Sequence, residues 1–538
     1  MVNGNKKKGM FVGLSMVLLL SACTGGGGAT ETEAPKDEGE TKAPVAEEPA
    51  AEPAPEKFEI SMFKGVWAAI PPNDGEGLKA INERFNVDFK PQLVPMGEAE
   101  QKLSVLMASG DIPDIVGFES PSSNFYQWAG QGAFLPLNEY FESGEYETLN
   151  LIPDNVLTKL TVDGKIYAIP QYFRVKYRNS PLIRKDWLDK LGLSMPTNYS
   201  ELLAVSKAFT EQDPDGNGQN DTYGFAMSSG IDNEMQMGAY YDSGTWLHKN
   251  DKGQLIPGII SNGSKERIQF LRDVYAGGYV HKDWPIMTYQ DARNLFWTGK
   301  AGIYYEGTPG GKGLFEQLAA AVPNAVIEPL PPFVAPDGSQ GYQGLSGFYL
   351  LHTLNAELAD QPEKVKRILE MTDFFATFIP KEQANPDNPD YDWKWGGLGK
   401  GYEFTDGKRV LTEEGATKRP QTYFMTAEWA PNDEAVDMSS SITTPLQQAY
   451  VDKSVEMWSK PNFVYIDPTM SVNSEIYNTK YWELHTTLID EQTKMIIGDQ
   501  PMDAWEPMVE SFLSNGGQDV IDDVNAKIAE AGVEGRWQ

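Results

Sequence analysis

In the first part of the chain, the spacing of apolar residues alternates between that of strands and that of helices. Residues 58–63 largely alternate apolar and polar positions, which predicts a strand. Apolar residues at helical spacing between Ala99 and Met107 predict a helix, and Gly110 supplies its left-handed end. The run 115–118 is short and apolar, as in a buried strand. A helix between two strands favours a parallel sheet, so we expect an α/β lobe here.

The same α/β pattern returns after an interruption. Further predicted strands cover 165–170, 301–305 and 347–352, and further predicted helices begin near Pro181 and Pro362. No repeat of solenoid length is evident, so a repeat array is disfavoured. The patterned region that begins at Phe58 is long for one core and natural for two lobes, and two lobes imply a cleft.

The first residues of the chain carry the pattern of a secretory signal. Three lysines at 6–8 precede an apolar stretch at 10–20, which is shorter than the roughly 20 residues of a spanning helix. Small residues then lead to Cys23, the single cysteine of the sequence. We predict a signal peptide over 1–22 and acylation of Cys23, as in a bacterial lipoprotein. The alternative is a signal peptide that happens to end near an unpaired cysteine.

Residues 23–57 have the composition of a disordered tether. After Cys23 they include four consecutive glycines, five prolines and nine acidic residues, with Val45 as the only large aliphatic residue. Such a segment cannot bury enough apolar surface to offset the entropy of ordering it. We expect it to hold the folded body away from the lipid surface.

The charge of the chain argues against several classes of partner. The formal net charge is -32 at pH 7, and it is more negative still without the signal lysines. Such a charge disfavours nucleic acid, anionic lipid and generic polyanions as main partners. Outside the signal, no window has the apolar length of a spanning helix, so we expect membrane contact through the lipid anchor only.

Four motifs in one order closely resemble those of the family 1 extracellular solute-binding proteins. They are Asp-Gly-Lys-Ile-Tyr-Ala-Ile-Pro at 163–170, Ile-Arg-Lys-Asp-Trp-Leu-Asp-Lys-Leu-Gly at 183–192 with Pro196-Thr197 after it, Asp-Pro-Asp-Gly-Asn-Gly-Gln-Asn-Asp at 213–221, and Gly-Lys-Ala-Gly-Ile-Tyr-Tyr at 299–305. The third is similar to the calcium loop of the large lipoprotein branch of that family. The resemblance covers essentially the whole chain from Phe58, and the combined order of the motifs is its specific part.

The resemblance implies a two-lobed periplasmic-binding-protein-like fold of type II, with ligand bound between two α/β lobes. It puts the first crossing between lobes near 170–178 and the second near 326–332. The first lobe would then contain 58–172 and 330–398, and the second lobe 173–329 and 399–538. It also implies a carbohydrate ligand, the permease of an ABC importer as partner, and a monomer on the extracellular face of the bacterial cell membrane.

The motif at 213–221 offers oxygen donors at alternate positions, as calcium loops do. The candidate ligands are Asp213, Asp215, Asn217, the carbonyl of Gln219, and Asp221, at positions 1, 3, 5, 7 and 9. Gly218 at position 6 permits the sharp turn, but Gly224 replaces the usual glutamate at position 12. Thr222 stands where related proteins can carry a ligating acid. We expect a structural Ca²⁺ site; the alternative is a surface turn whose side chains bond their own backbone.

Ligands of open α/β sheets lie beyond the carboxyl ends of the strands, so residues after predicted strands are the candidates for binding. The candidates are Lys64, Trp67, Phe118, Glu119, Arg174, Tyr177, Trp246 and Glu306. They combine aromatic faces with charged groups, and sugars require both. The alternative for each aromatic residue is the core, because the chain has 13 tryptophans and 24 tyrosines.

Two further features concern the ligand. Trp393 and Trp395 flank Lys394 in a loop rich in glycine, aspartate and proline, and they are candidates for a platform at the rim of the cleft. The segment from Arg174 to Lys185 is locally basic, which is typical of a solvated surface. If this basic segment crosses between the lobes, it would instead contact an acidic sugar or a phosphate group. An anionic ligand therefore stays an alternative to a neutral one.

The rival functions are a surface glycoside hydrolase or polysaccharide lyase and a lipoprotein adhesin or scaffold. Acidic residues are plentiful, so composition alone does not exclude a carboxylate pair. The sequence has only four histidines and contains no His-Glu-x-x-His, no Gly-x-Ser-x-Gly and no phosphate-loop motif. We therefore predict a binding protein and no enzyme.

Overall fold

The computed structural model describes residues 56–538 apart from 178, 312, 406, 532–535 and 538. The predicted signal peptide, Cys23 and nearly all of the predicted tether lie outside the described residues. Within the described part, none of the helices combines the length and the apolar character needed to cross a membrane.

The strands are short except at the start of the fold. In chain order they are β1 Phe58–Val66, β2 Val87–Pro95, β3 Ile115–Phe118, β4 Thr161–Val162, β5 Lys165–Ile166, β6 Ile169–Tyr172, β7 Ser180–Arg184, β8 His248–Lys249, β9 Leu255–Ile256, β10 Ile303–Glu306, β11 Ile327–Pro329, β12 Tyr342–Gln343, β13 Phe348–Leu354, β14 Tyr402–Thr405, β15 Lys408–Leu411 and β16 Val464–Tyr465.

The helices make up most of the regular structure. In chain order they are α1 Glu76–Phe85, α2 Met96–Ser109, α3 Ser123–Gly130, α4 Asn138–Glu142, α5 Asp154–Thr158, α6 Lys185–Leu191, α7 Tyr199–Glu211, α8 Asn262–Ala276, α9 Tyr289–Trp297, α10 Leu314–Ala321, α11 Pro362–Ala376, α12 Pro389–Lys394, α13 Gln421–Phe424, α14 Pro445–Trp458, α15 Trp482–Ile497, α16 Trp505–Phe512 and α17 Gln518–Ala531. The predicted helix ends at Gly110 and Gly192 are observed, and both glycines are left-handed.

The first lobe is built on a five-stranded sheet. Its strand order is β2-β1-β3-β13-β6, with β1, β2 and β3 parallel and β13 antiparallel to β3 and β6. The predicted strand–helix–strand order at its start thus gives the predicted parallel pairing. Buried Ile60, Met62 and Phe63 on β1 pack in one core with Ile368 and Phe375 of α11.

The second lobe is mainly helical around a smaller sheet. That sheet has the order β10-β7-β11, and both pairings are antiparallel. Its core contains Trp187 of α6, Phe209 of α7 and Leu271 of α8, together with Met495 of α15. The chain therefore forms two bodies with separate cores.

Three segments connect the two cores, at 173–179, 336–347 and 430–437. The first lies between β6 of the first sheet and β7 of the second. The second follows Phe333 and Ala335 of the second core and precedes Phe348 of the first. The third follows Trp429 of the first core and leads to α14, which packs beside β11.

The observed lobe boundaries differ from the expected ones at residues 330 and 399. Residues 326–332 contain β11, which pairs with β7, so they stay in the second lobe. The first lobe extends past residue 399 because Phe424 stacks on Phe375 of α11 at 4.7 Å between ring centroids. This long-range aromatic contact has no signature in local periodicity, which is why the pattern did not reveal it.

Candidate ligand-binding site

Four side chains of the first lobe meet at the carboxyl edge of its sheet. Trp67, Glu119 and Phe173 directly follow β1, β3 and β6, which run in the same direction. Tyr349 lies at the start of β13, and β13 runs the opposite way, so this end reaches the same edge. In open α/β sheets this edge is where ligands bind.

Trp67, Tyr349 and Phe173 form a row of aromatic side chains, called the aromatic ridge below. The Trp67 indole donates to the Tyr349 hydroxyl at 2.7 Å, and that hydroxyl donates to the Glu119 carboxylate. The Tyr349 and Phe173 ring centroids lie 5.5 Å apart. Trp67 is 64% exposed and Phe173 is 38% exposed. Exposed rings held in place by hydrogen bonds suit the C–H faces of sugars.

Phe173 also lines a cavity of about 400 Å³, called the junction cavity below. Arg174 lines it from the first crossing, and Pro309 lines it from the second lobe. The first lobe contributes Phe378, Tyr391, Trp395, Arg409, Gln421 and Glu428, and the third crossing contributes Asp437. The cavity thus touches both lobes and two crossings, and its volume is within the range of small-molecule sites.

Cationic side chains outnumber acidic ones in the wall of the junction cavity. The cations are Arg174, Lys381, Lys408 and Arg409, and the acids are Glu428 and Asp437. Glu428 accepts from the Ile379 amide at 3.1 Å and lies 3.6 Å from the Lys394 ammonium. Asp437 accepts from the Ser439 amide at 3.0 Å and lies 3.4 Å from Lys381. Both carboxylates are therefore engaged by the protein itself.

Several polar atoms in the cavity wall are buried without a protein partner. They are Arg174 Nη1, Trp395 Nε1, Arg409 Nε and Gln421 Oε1, none of which has a hydrogen-bond partner among the described residues. A buried polar atom left unpaired costs about 1–3 kcal/mol. Burial also lowers the pKa of Arg174 and of Arg409, but arginine stays charged in proteins. A ligand that presents acceptors to these donors would remove that cost.

Asp433 fixes the crossing segment that carries Arg174. Its carboxylate accepts from the Tyr172 hydroxyl at 2.6 Å and from the amides of Val175 and Lys176 at 3.0 and 2.7 Å. Asp433 lies in the third crossing and is 8% exposed. The first and third crossings are thus joined on either side of Arg174, beside the junction cavity.

The eight predicted ligand residues fall into two groups. Trp67 and Glu119 come together through Tyr349, and Arg174 lines the cavity, where it also donates to the Thr308 carbonyl at 2.6 Å. The remaining five are buried: Lys64, Phe118, Tyr177, Trp246 and Glu306. Lys64 lies inside β1 because that strand runs to Val66, beyond the predicted end at residue 63.

The other buried candidates have partners within the protein. Phe118 packs edge-on against Phe125 and Phe134 in the first core, and Tyr177 packs against Trp458. Trp246 lies in the second core against Tyr477 and Tyr481. Glu306 forms an ion pair with Arg293 at 3.0 Å. The structure does not bring these four side chains to the aromatic ridge.

Sequence reasoning missed three residues of the site. Tyr349 lies in a predicted strand, but only an antiparallel strand brings its start to the ligand edge. Arg409 lies on the β14–β15 hairpin and Gln421 on α13, and both belong to the stretch that was expected in the second lobe. The signal available was Trp395, a candidate for a rim platform, which does line the cavity.

The predicted calcium ligands converge, but a lysine reaches two of them. The Asn217 amide donates to Asp215 at 2.8 Å and to Asp221 at 3.1 Å. The Lys300 ammonium lies 2.5 Å from an Asp221 oxygen and 3.8 Å from an Asp215 oxygen. Asp213 accepts from the Asn217 and Gly218 amides at 3.0 Å each. An ammonium group thus lies beside two of the predicted calcium ligands.

The two atypical positions of this loop have structural reasons. Thr222 donates its hydroxyl to the Phe209 carbonyl at 2.7 Å, so it faces the helix α7. A Cβ at Gly224 would lie 2.6 Å from the Ser206 side chain, so position 12 has no room for a glutamate. In the described part of the chain, no group of three or more Asp, Glu, His or Cys side chains is arranged to hold a metal ion.

An open α/β sheet, a second body on three crossings and a cavity at their junction define a two-lobed binding protein. The chain belongs to the bacterial extracellular solute-binding protein family, whose model matches residues 69–359, more than half of its length. The family comprises binding proteins of ABC transporters and no enzymes. The predicted family, fold class and type of function are thereby confirmed.

Individual relatives agree with this assignment. The chain is 27% identical to the polygalacturonan/rhamnogalacturonan-binding protein YtcQ of Bacillus subtilis (strain 168), with 88% of this chain and 92% of the relative covered. It is 24% identical to the lipoprotein LipO of the same organism, covering 87% and 92%. Among solved structures, an EF-hand mutant of the Streptococcus pneumoniae ABC-transporter substrate-binding protein FusA in complex with fructo-nystose has a TM-score of 0.64 at 17% identity, covering 89% and 99%.

Lys64 predicts a pH dependence of stability. It is 2% exposed, donates to the Met425 carbonyl and lies near His352, and burial lowers its pKa from 10.5 to about 7. Between these values the unfolded lysine binds a proton and the folded one does not, so stability rises with pH across this window; below about 7 both states are protonated. We expect urea unfolding of Lys64→Met to show higher stability than wild type at pH 7, on the order of 1–4 kcal/mol, and a flatter pH profile.

The exposed Lys366 provides the matched control for this experiment. Its side chain is half exposed and lies 3.4 Å from Glu363, so Lys366→Met should keep the slope of the wild type between pH 7 and 10. Equal slopes in Lys64→Met and the wild type would contradict the assignment.

Proposed function

We propose that the protein captures an oligosaccharide outside the cell and delivers it to the permease of an ABC-type importer. The observation that carries this proposal is the exposed aromatic ridge, which leads through Phe173 into the junction cavity. The similar proteins support a carbohydrate ligand, since one binds polygalacturonan and rhamnogalacturonan and another holds fructo-nystose.

Capture would proceed by closure of the two lobes around the sugar. The ridge belongs to the first lobe, while Pro309 of the second lobe faces the same cavity. Ligand shifts the population only if it binds the closed arrangement better than the open one. The permease would then recognise the closed arrangement as the loaded one.

Trp67 tests the role of the ridge. Trp67→Ala removes its most exposed ring, so calorimetry with oligosaccharides that bind the wild type should record a loss of about tenfold or more in affinity, equivalent to about 1–3 kcal/mol. Trp482→Ala, a 47% exposed tryptophan on α15 of the second lobe, should bind like the wild type. Small-angle scattering at saturating sugar should show compaction of the wild type. Unchanged scattering together with unchanged affinity of Trp67→Ala would refute the clamp.

We further propose that Cys23 carries the lipid that keeps the protein on the outer face of the cell membrane. The apolar segment before it and the relative LipO support this. Cys23→Ala should release the protein into the medium with its body folded, as followed by immunoblotting of cell and medium fractions. An unacylated Cys23 by mass spectrometry of the membrane fraction would disprove the anchor.

We also propose that Ca²⁺ binds the loop at 213–221 by displacing the Lys300 ammonium. Asp213, Asp215, Asn217, Gln219 and Asp221 would hold the ion, which would fix the connection after α7 and have no part in ligand chemistry. The structurally similar FusA, which was solved as an EF-hand mutant, supports a site of this type.

Lys300 supplies the test of this calcium site. In metal-stripped protein, Lys300→Met should gain about 2 °C or more in melting temperature on addition of Ca²⁺, and more than the wild type gains, since no ammonium competes. The double variant with Asp215→Asn should lose the gain. If Ca²⁺ leaves the melting of both the wild type and Lys300→Met unchanged, the loop is a surface turn.

A further inference from the structure

We infer that the junction cavity receives the carboxylate of an acidic sugar residue, and that Arg409 is the side chain that distinguishes an acidic from a neutral sugar. The inference rests on the proposed function, because it names the substrate class of the same site.

The unpartnered atoms of the cavity wall are mainly donors. Arg174 Nη1, Trp395 Nε1 and Arg409 Nε each carry a hydrogen and lack an acceptor among the described residues, and Gln421 Oε1 is the acceptor in the group. Two of the three donors belong to guanidinium groups. A ligand that satisfies this wall must therefore present acceptors, and a negative charge serves the two guanidinium groups best.

Asp433 attracts Arg174 and Glu428 attracts Arg409 electrostatically, but both carboxylates also have other partners in the protein. Glu428 is bonded to the Ile379 amide and lies beside Lys394, and Asp437 is bonded to Ser439. Burying a charge without a counter-charge is unfavourable. The carboxylates near the cavity are thus shared among several donors, and an anionic ligand would compensate the remaining positive charge of the wall better than a neutral sugar.

Arg409 is held as a rigid guanidinium group. Its guanidinium carbon lies 3.3 Å from the centroid of the Trp395 ring and 5.3 Å from that of Tyr391. It projects from β15, which pairs with β14 in a hairpin of four residue pairs. A planar guanidinium stacked on an indole keeps its orientation, and its fork of donors matches a carboxylate. Lysine has no such fork.

Calorimetry with three probes tests the inference. The probes are trigalacturonate, its methyl ester and the neutral trisaccharide kestose. We expect the wild type to bind trigalacturonate at least tenfold more tightly than its ester. Arg409→Gln should lose at least tenfold in affinity for trigalacturonate, and Arg409→Lys should lose an intermediate amount. Affinity for the ester or for kestose, where measurable, should fall by a smaller factor than affinity for trigalacturonate.

Arg84 provides the matched control. Its guanidinium also lies over a tryptophan, Trp393, at 4.8 Å from the ring centroid, and it forms an exposed ion pair with Asp390 away from the cavity wall. Arg84→Gln should keep the wild-type preference for the acid. Circular dichroism of each variant establishes that it is folded, and Arg409→Lys keeps the test available if Arg409→Gln is unstable.

The outcomes separate the inference from the proposed function. Equal affinity of the wild type for acid and ester, or an unchanged preference in folded Arg409→Gln and Arg409→Lys, overturns the inference and leaves sugar capture intact. If kestose is the one probe that binds tightly, the inference is likewise overturned and sugar capture is left intact. Failure of the wild type to bind these probes or any sugar of a broad panel overturns the proposed function, and the inference with it.

Discussion

The three hydrogen bonds accepted by Asp433 hold together the part of the molecule on which the binding site depends. A buried carboxylate is tolerated because both of its oxygens accept hydrogen bonds, from the Tyr172 hydroxyl and from two backbone amides. Two more bonds extend the junction, from the Phe173 amide to the Gly347 carbonyl and from the Leu345 amide to the Val175 carbonyl. These bonds join the three crossings beside Arg174, which lies in the cavity wall.

This junction explains how the proposed change in the angle between the two lobes would alter the contacts of a bound ligand. The aromatic ridge is carried by strand ends of the first lobe, and Pro309 follows β10 of the second, so the proposed closure about the crossings would bring unlike walls together. Arg174 contacts both sides, because it lies in the first crossing and donates to Thr308 beyond β10. A sugar that stacks on the ridge while it meets the second lobe gains contacts only in the closed arrangement, which is the requirement for a population shift.

The sequence predicted the parts of this site that follow local rules. Alternation located β1 and a short apolar run located β3, and the rule for strand ends then gave Trp67 and Glu119. The strand-end rule failed at Lys64, because the pattern ended β1 three residues early. It also failed at Tyr349, because the direction of β13 depends on a crossover that no short stretch of sequence contains. The hairpin of Arg409 and the boundary near residue 429 depend on aromatic packing between segments far apart in the chain, such as Phe375 with Phe424. Such contacts are set by the fold and not by periodicity.

An acidic ligand is compatible with a chain of net charge -32 because the two charges act over different distances. At physiological salt, exposed charges are screened beyond about 8 Å, so the overall charge opposes the approach of a long polyanion more than the seating of one sugar residue. Nine of the acids lie between residues 24 and 57, in the segment predicted to be a tether. The cavity wall contains four cations and two acids, and the interactions of Arg174 and Arg409 are less screened because these two side chains are partly buried. The net charge therefore disfavours a long polyanionic ligand more than it disfavours a single acidic sugar residue in the cavity.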